Sequence, residues 1–224
     1  MIKIALVGDV MITRPLPEKE YEGLHNIVNL IQNHDVKFAN LETTVHKREG
    51  YPSAFPGGTW AMTDPRCLEA IKRFGFNILN TANNHSMDYS HKGLLATHRY
   101  LEEHGLPFTG TGKNLADAAA PVYVECSQGR VAIIGATSSF HDSDAAGNQR
   151  MDMKGRPGVN PLRHKSVYEV TEENFAALQK VAQDIGINDY HNQAIKEGYL
   201  LERENFIFAS FEFRNGEKNK LHTY

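Results

Sequence analysis

At 224 residues, with 41% hydrophobic and 23% charged, the chain has an ordinary globular composition and length for one sizeable domain or two small ones. A formal charge of −3 carries no polyanion-binding signature, which excludes nucleic acid as the default partner. The two cysteines, Cys67 and Cys126, have the spacing of neither a zinc pair nor a redox pair and read as reduced thiols of a cytosolic protein.

Met1 to Val7 is apolar but short, and Gly8-Asp9 stops it. It lacks the length and flanks of a signal peptide or membrane span, and no other stretch approaches spanning length. The chain is therefore expected to be cytoplasmic, and Lys3–Val7 to be a central strand. Asp9, directly after that strand, suits either a metal or phosphate ligand or the cap of a turn.

Residues 18–33 place Leu24, Ile27, Val28, Leu30 and Ile31 at helical spacing. A second strand, Val36–Ala39, runs into Asn40-Leu41-Glu42, so a strand again ends in an amide and a carboxylate. Residues 46–60 have the composition of an irregular surface loop. Asp64-Pro65 predicts a helix start that runs to Phe74 and stops at Gly75. A third strand around Ile78 and Leu79 leads into Thr81-Ala82-Asn83-Asn84-His85, with Asp88 and Ser90 as expected caps of a helix reaching His104.

Phe108–Gly112 predicts a short strand and turn, and Asn114–Ala119 a short helix. Pro121–Cys126 and Arg130–Ile134 predict a hairpin around Ser127-Gln128-Gly129. Residues 137–165 form a long polar segment, either a solvated loop or a substrate lid. Helices are expected over 171–186 and 187–201. Asn205–Arg214 alternates as one strand, and Asn215-Gly216 signals a hairpin turn. No linker or repeat is visible, so residues 1–224 read as one unit.

Three successive strands thus end in Asp9, in Asn40 and Glu42, and in Asn84 and His85. In a parallel sheet these ends share one edge. Capping accounts for each alone; together they suit a divalent cation such as Mn, Fe(II), Zn or Mg, which ionises a bound water and clamps an oxyanion.

Gly8-Asp9-Val10-Met11, Asn40-Leu41-Glu42, Ala82-Asn83-Asn84-His85-Ser86-Met87-Asp88, Gly110-Thr111-Gly112-Lys113-Asn114 and Gly155 to Arg163 resemble the ordered motifs of the CapA family. These are capsule and poly-γ-glutamate synthesis proteins with a metallophosphatase-like fold. The resemblance implies an α/β protein with a calcineurin-like α/β/β/α sandwich, incomplete at its C-terminus, because the family's later His-Trp-Gly and Gly-His-x-His motifs are absent. It implies Asp9, Glu42 and Asn84 as ligands of a divalent metal and His85 as the catalytic imidazole, or else a structural hydrogen-bonder. Asn40, Asn83, Asp88, Arg156 and Arg163 complete the candidate set as substrate-binding residues. Met11 stands where ordinary metallophosphoesterases carry a second-ligand His. The implied role is a hydrolase-like enzyme acting on an anionic polymer or small molecule, as a homo-oligomer or within a capsule-synthesis complex. The alternative is a non-catalytic scaffold or binding subunit with an incomplete metal site.

Overall fold

Apolar strands separated by long helix-bearing segments favour parallel pairing, because only a long crossover returns the chain in the same direction. The computed structural model, which describes residues 1–17 and 21–224, has this arrangement. The start of the helix expected over 18–33 lies outside the described residues. The chain divides into two compact units, Met1–Leu162 and Arg163–Tyr224.

The first unit runs β1 (Ile4–Val10), α1 (Glu22–Gln32), β2 (Val36–Leu41), β3 (Thr44–Val45), β4 (Met62–Thr63), α2 (Leu68–Phe74), β5 (Ile78–Asn80), α3 (Ser90–Glu103), β6 (Phe108–Thr109), β7 (Thr111–Gly112), α4 (Leu115–Ala118), β8 (Val122–Cys126), β9 (Gly129–Ile133) and β10 (Gly158–Val159). Strands β1, β2, β5 and β6 pair in that order, all parallel. The mixed α/β class and the parallel sheet agree with the sequence reading.

Strand periodicity assigns the two faces. Ala39, Leu41 and Leu79 pack with Ile31, Leu68, Ile71 and Leu101 from the helices. The alternate residues Val36, Phe38 and Ile78 pack with Val122, Val124, Val131 and Ile133 of the β8–β9 hairpin. Helices thus cover one face of the sheet and a hairpin covers the other.

Local chemistry sets the element ends. The Asp64 carboxylate accepts from Arg66 N at 2.9 Å, opening a 3₁₀ turn over Pro65–Cys67 that leads into α2. Gly75 ends α2 in the left-handed conformation (φ 81°), which a glycine adopts without steric cost. The polar segment 137–165 is mostly irregular but anchored: β10 pairs antiparallel with β7, and Ala145 bridges Val159.

The second unit contains β11 (Ser166–Val170), α5 (Glu172–Ile185), α6 (Asp189–Lys196), β12 (Phe206–Phe208), β13 (Phe211–Asn215) and β14 (Lys220–Thr223). Its sheet order is β12-β13-β11-β14. Three expectations change here. The single strand over 205–214 is a tight antiparallel hairpin, folded at Ala209 (φ 55°) and Ser210 so that Phe208 faces Phe211. The strand after Asn215-Gly216 does not return beside β13; it crosses to pair antiparallel with β11. Helix α6 is also shorter than the 187–201 expected. Among the described residues no helix is long and apolar enough to cross a membrane.

Candidate functional site

The C-terminal ends of the parallel strands form one polar row. Asp9 is in register with Asn40, Asn40 with Asn80, and Asn80 with Thr109. Asp9 reaches this row through an irregularity in β1: Leu6 pairs with Phe38, but Asp9 pairs with Asn40, so β1 carries one extra residue. A bulge of this kind re-aims a side chain at a sheet edge.

Amides link the row. Asn40 Nδ2 donates to Asp9 Oδ1 at 2.8 Å. Asn40 Oδ1 accepts from Asn80 Nδ2 at 2.7 Å and from Asn83 Nδ2 at 3.2 Å. Asn83 Nδ2 also donates to Leu41 O at 2.9 Å. Each Asn40 group is thereby fixed, and Asp9 Oδ1 is held by a donor that cannot turn away.

Glu42 follows β2 and stands against Asp9. The Asn40 hydrogen bond and the bond to Glu42 hold the Asp9 carboxyl below the usual carboxylate range. Burial pushes the Glu42 carboxyl up, helped by its hydrogen bond to Asp9 and by the Asp9 charge. Of the two acids, Glu42 therefore holds a proton more tightly than Asp9.

The loop from Thr81 to Asp88 is tied internally. His85 N donates to Asn83 Oδ1 at 3.0 Å, and Ser86 Oγ donates to Thr81 O at 2.6 Å. Asp88 is fully buried. Its carboxylate accepts from Gly57 N at 2.8 Å, Ala61 N at 2.6 Å and His85 Nδ1 at 2.7 Å. An acceptor-only carboxylate places the imidazole proton on Nδ1 and leaves Nε2 as the free ring nitrogen. Asp88 was expected both as a helix cap and as a substrate contact. The structure gives it neither position: α3 begins without a side-chain cap, and Asp88 lies beneath the loop as the support of His85.

The structure brings Asp9, Asn40, Glu42, Asn83 and His85 together. Asn84 occupies another wall: its Nδ2 donates to Gly57 O at 2.7 Å, and it lines a cleft with residues of the 137–165 segment. The amide joined to the carboxylate network is Asn83, not Asn84. Arg156 donates from Nε to Ala145 O at 2.9 Å and from a terminal nitrogen to Asp142 O at 3.2 Å, so it braces its own loop. Arg163 belongs to the second unit. Sequence reading missed Asn80 and the approach of Gly57 to Asn84. Asn80 was legible as a second amide ending a strand; Gly57 was not, because its closeness to Asn84 depends on tertiary folding.

As donors, Asp9 and Glu42 supply two adjacent carboxylates. Among the described residues no group of three or more His, Cys, Asp or Glu has the arrangement to hold a metal ion. A cation at this pair would need water or amide oxygens to complete its ligands.

These residues lie within a stretch that matches a known family. The family model for the bacterial capsule synthesis protein PGA_cap matches residues 3–196. The chain belongs to the PGA_cap family. Relatives include the uncharacterized proteins y4sH and y4uA of Sinorhizobium fredii, each 33% identical over 221 residues, covering 97% of this chain and 46% of the relative. The capsule biosynthesis protein CapA of Bacillus anthracis is 30% identical over 147 residues, covering 62% of this chain and 35% of that protein. The PGA biosynthesis protein CapA of Bacillus subtilis is 27% identical over 167 residues, covering 72% and 42%. This PGA_cap chain spans less than half the length of these curated relatives.

Proposed function

We propose that this PGA_cap chain carries the metal-binding part of a hydrolase-like enzyme of capsule or poly-γ-glutamate biosynthesis. The observation that carries the reading is the Asp9–Glu42 carboxylate pair at the strand ends, beside an imidazole held by a buried Asp88. The names of the Bacillus relatives support the capsule or poly-γ-glutamate setting. The hairpin packed on the sheet face opposite the helices supports a calcineurin-like α/β/β/α sandwich, of which these layers are one part.

Asp9 and Glu42 would hold a divalent cation such as Mn, Fe, Zn or Mg, with water or an amide oxygen of the adjoining network completing its ligands. When bound, the cation supplies an acidified water and a clamp for an oxyanion. The protein's own groups set the rest. Asn40 fixes the rotamer of Asp9. Asp88 fixes the Nδ1–H tautomer of His85, so Nε2 is the atom that gives or takes a proton at the substrate. The test is calorimetric titration of Mn²⁺ into wild type, Asp9→Asn and Glu42→Gln. Wild type should bind and each variant should lose at least tenfold in affinity; unchanged binding in both variants would remove the assignment.

A second reading, a scaffold or binding subunit, is favoured by one observation. Ile4 and Leu6 in the edge strand β1 are 46% and 75% exposed, an apolar strip of the kind that marks association. If that reading holds, light scattering should show self-association that Leu6→Glu abolishes.

A further inference from the structure

The cleft that Asn84 lines is about 340 Å³, at the lower end of the ~300–1,000 Å³ of small-ligand sites. One wall is Phe55-Pro56-Gly57. The other comes from the 137–165 segment, chiefly Ser138, Ser139 and His141. Two features show that the walls are positioned rather than loosely apposed. Gly57 is so close to Asn84 that a Cβ on it would fall 2.4 Å from Asn84 O, so the backbone approach demands glycine. The second wall is pinned by Asp144, whose carboxylate accepts from His141 N at 3.0 Å and from Ser143 Oγ at 3.1 Å. Phe140 anchors the same wall by packing against Met87, Leu94 and Val159.

The chemistry of the lining is selective. The Phe55 and His141 rings meet across the cleft with centroids 4.7 Å apart, yet Phe55 is 59% exposed. An aromatic pair left in solvent at the mouth of a cleft offers a flat apolar face. Ser138, Ser139 and the Asn84 amide offer neutral hydrogen-bonding groups beside it. No lysine or arginine is among the described lining residues, and the one carboxylate is Asp144. Such a surface has nothing to neutralise a row of carboxylates, and Asp144 repels them. It matches a sugar ring, which presents a C–H face to an aromatic side chain and a rim of hydroxyls to neutral donors and acceptors.

We infer that this cleft is a glycan subsite: it takes a neutral sugar unit of the polymer substrate, next to the strand-end site, and not a γ-glutamyl segment. The inference rests on the proposed polymer-processing role and narrows its substrate to the capsular saccharide class.

The test is binding to the full chain by saturation-transfer NMR and calorimetry. The probes are a panel of neutral tetrasaccharides of glucose, galactose and N-acetylglucosamine, set against a γ-glutamate tetramer. At least one sugar should bind to wild type, and Phe55→Ala and His141→Ala should each weaken it at least tenfold. Both side chains are exposed, so these variants keep the core; unchanged thermal melting verifies this. Any γ-glutamate binding should be screened by salt and indifferent to both substitutions. No binding by any sugar, or γ-glutamate binding that falls tenfold with Phe55→Ala, overturns the inference. Mn²⁺ titration of the same variants keeps the two readings apart: loss of the sugar with metal binding intact is failure of the cleft alone, and sugar binding without any metal site is failure of the enzyme reading alone.

Discussion

A carboxylate with no exposure must satisfy its charge internally, and Asp88 does so with two backbone N–H groups and the His85 ring. Asp88→Asn replaces an acceptor by a group that turns a donor toward one of these partners. The expected loss is roughly 2–3 kcal/mol of unfolding free energy, read from the urea midpoint, because buried bonds to charged groups are the costly ones to leave unmade. His98 is a second test at this scale. Burial, then the charge of Lys113, lowers its pKa from 6.5 to about 4, and its Nε2 meets Thr111 Oγ1 at 2.7 Å. The native state therefore holds His98 neutral where the unfolded chain takes up a proton. Its contribution is fully present above pH 6.5 and is lost as pH falls toward 4, on the order of 3 kcal/mol in all. Urea midpoints measured across this window should fall steeply in wild type and less steeply in His98→Gln.

Single elements differ in how far local chemistry determines them. The α2 helix begins at Asp64-Pro65 and stops at Gly75, and the β8–β9 hairpin turns at Ser127-Gln128, because capping and turn chemistry act within a few residues. The β12–β13 hairpin gave no such sign. Ala209 carries φ 55°, a conformation disfavoured for any residue with a Cβ, and alternation ran unbroken across it as though one strand continued. Ala209→Gly should relieve this and raise the stability of the second unit by about 1 kcal/mol, measured by hydrogen exchange of β12 and β13. The strand after Asn215-Gly216 was likewise misplaced by sequence reasoning. A turn signal fixes where a chain reverses, not which neighbour it then joins. The polar loop after β5 shows the same limit. Its residue types were legible, but two of the three acceptances by Asp88 and the division of labour between Asn83 and Asn84 depend on segments 27 to 42 residues away, such as Gly57, Ala61 and Leu41.

For the whole molecule, the order β1-β2-β5-β6 converts four separate strand ends into one row, Asp9, Asn40, Asn80 and Thr109. Parallel pairing makes this row a consequence of topology, which is why strand-end residues could be grouped from sequence before any contact was known. The membership of the PGA_cap family was legible in the same motifs. The division at Leu162 was not, because the glycine- and proline-bearing stretch Gly155 to Arg163 that spans it reads as a family motif rather than as a linker. Asp9 and Glu42 are the proposed seat of a divalent cation. The most direct measurement is anomalous diffraction at the manganese edge from crystals of this chain grown with Mn²⁺. A peak within bonding distance of both carboxylates is the expected result. A peak elsewhere, or Asp9 and Glu42 still sharing their hydrogen bond with no ion between them, would contradict it.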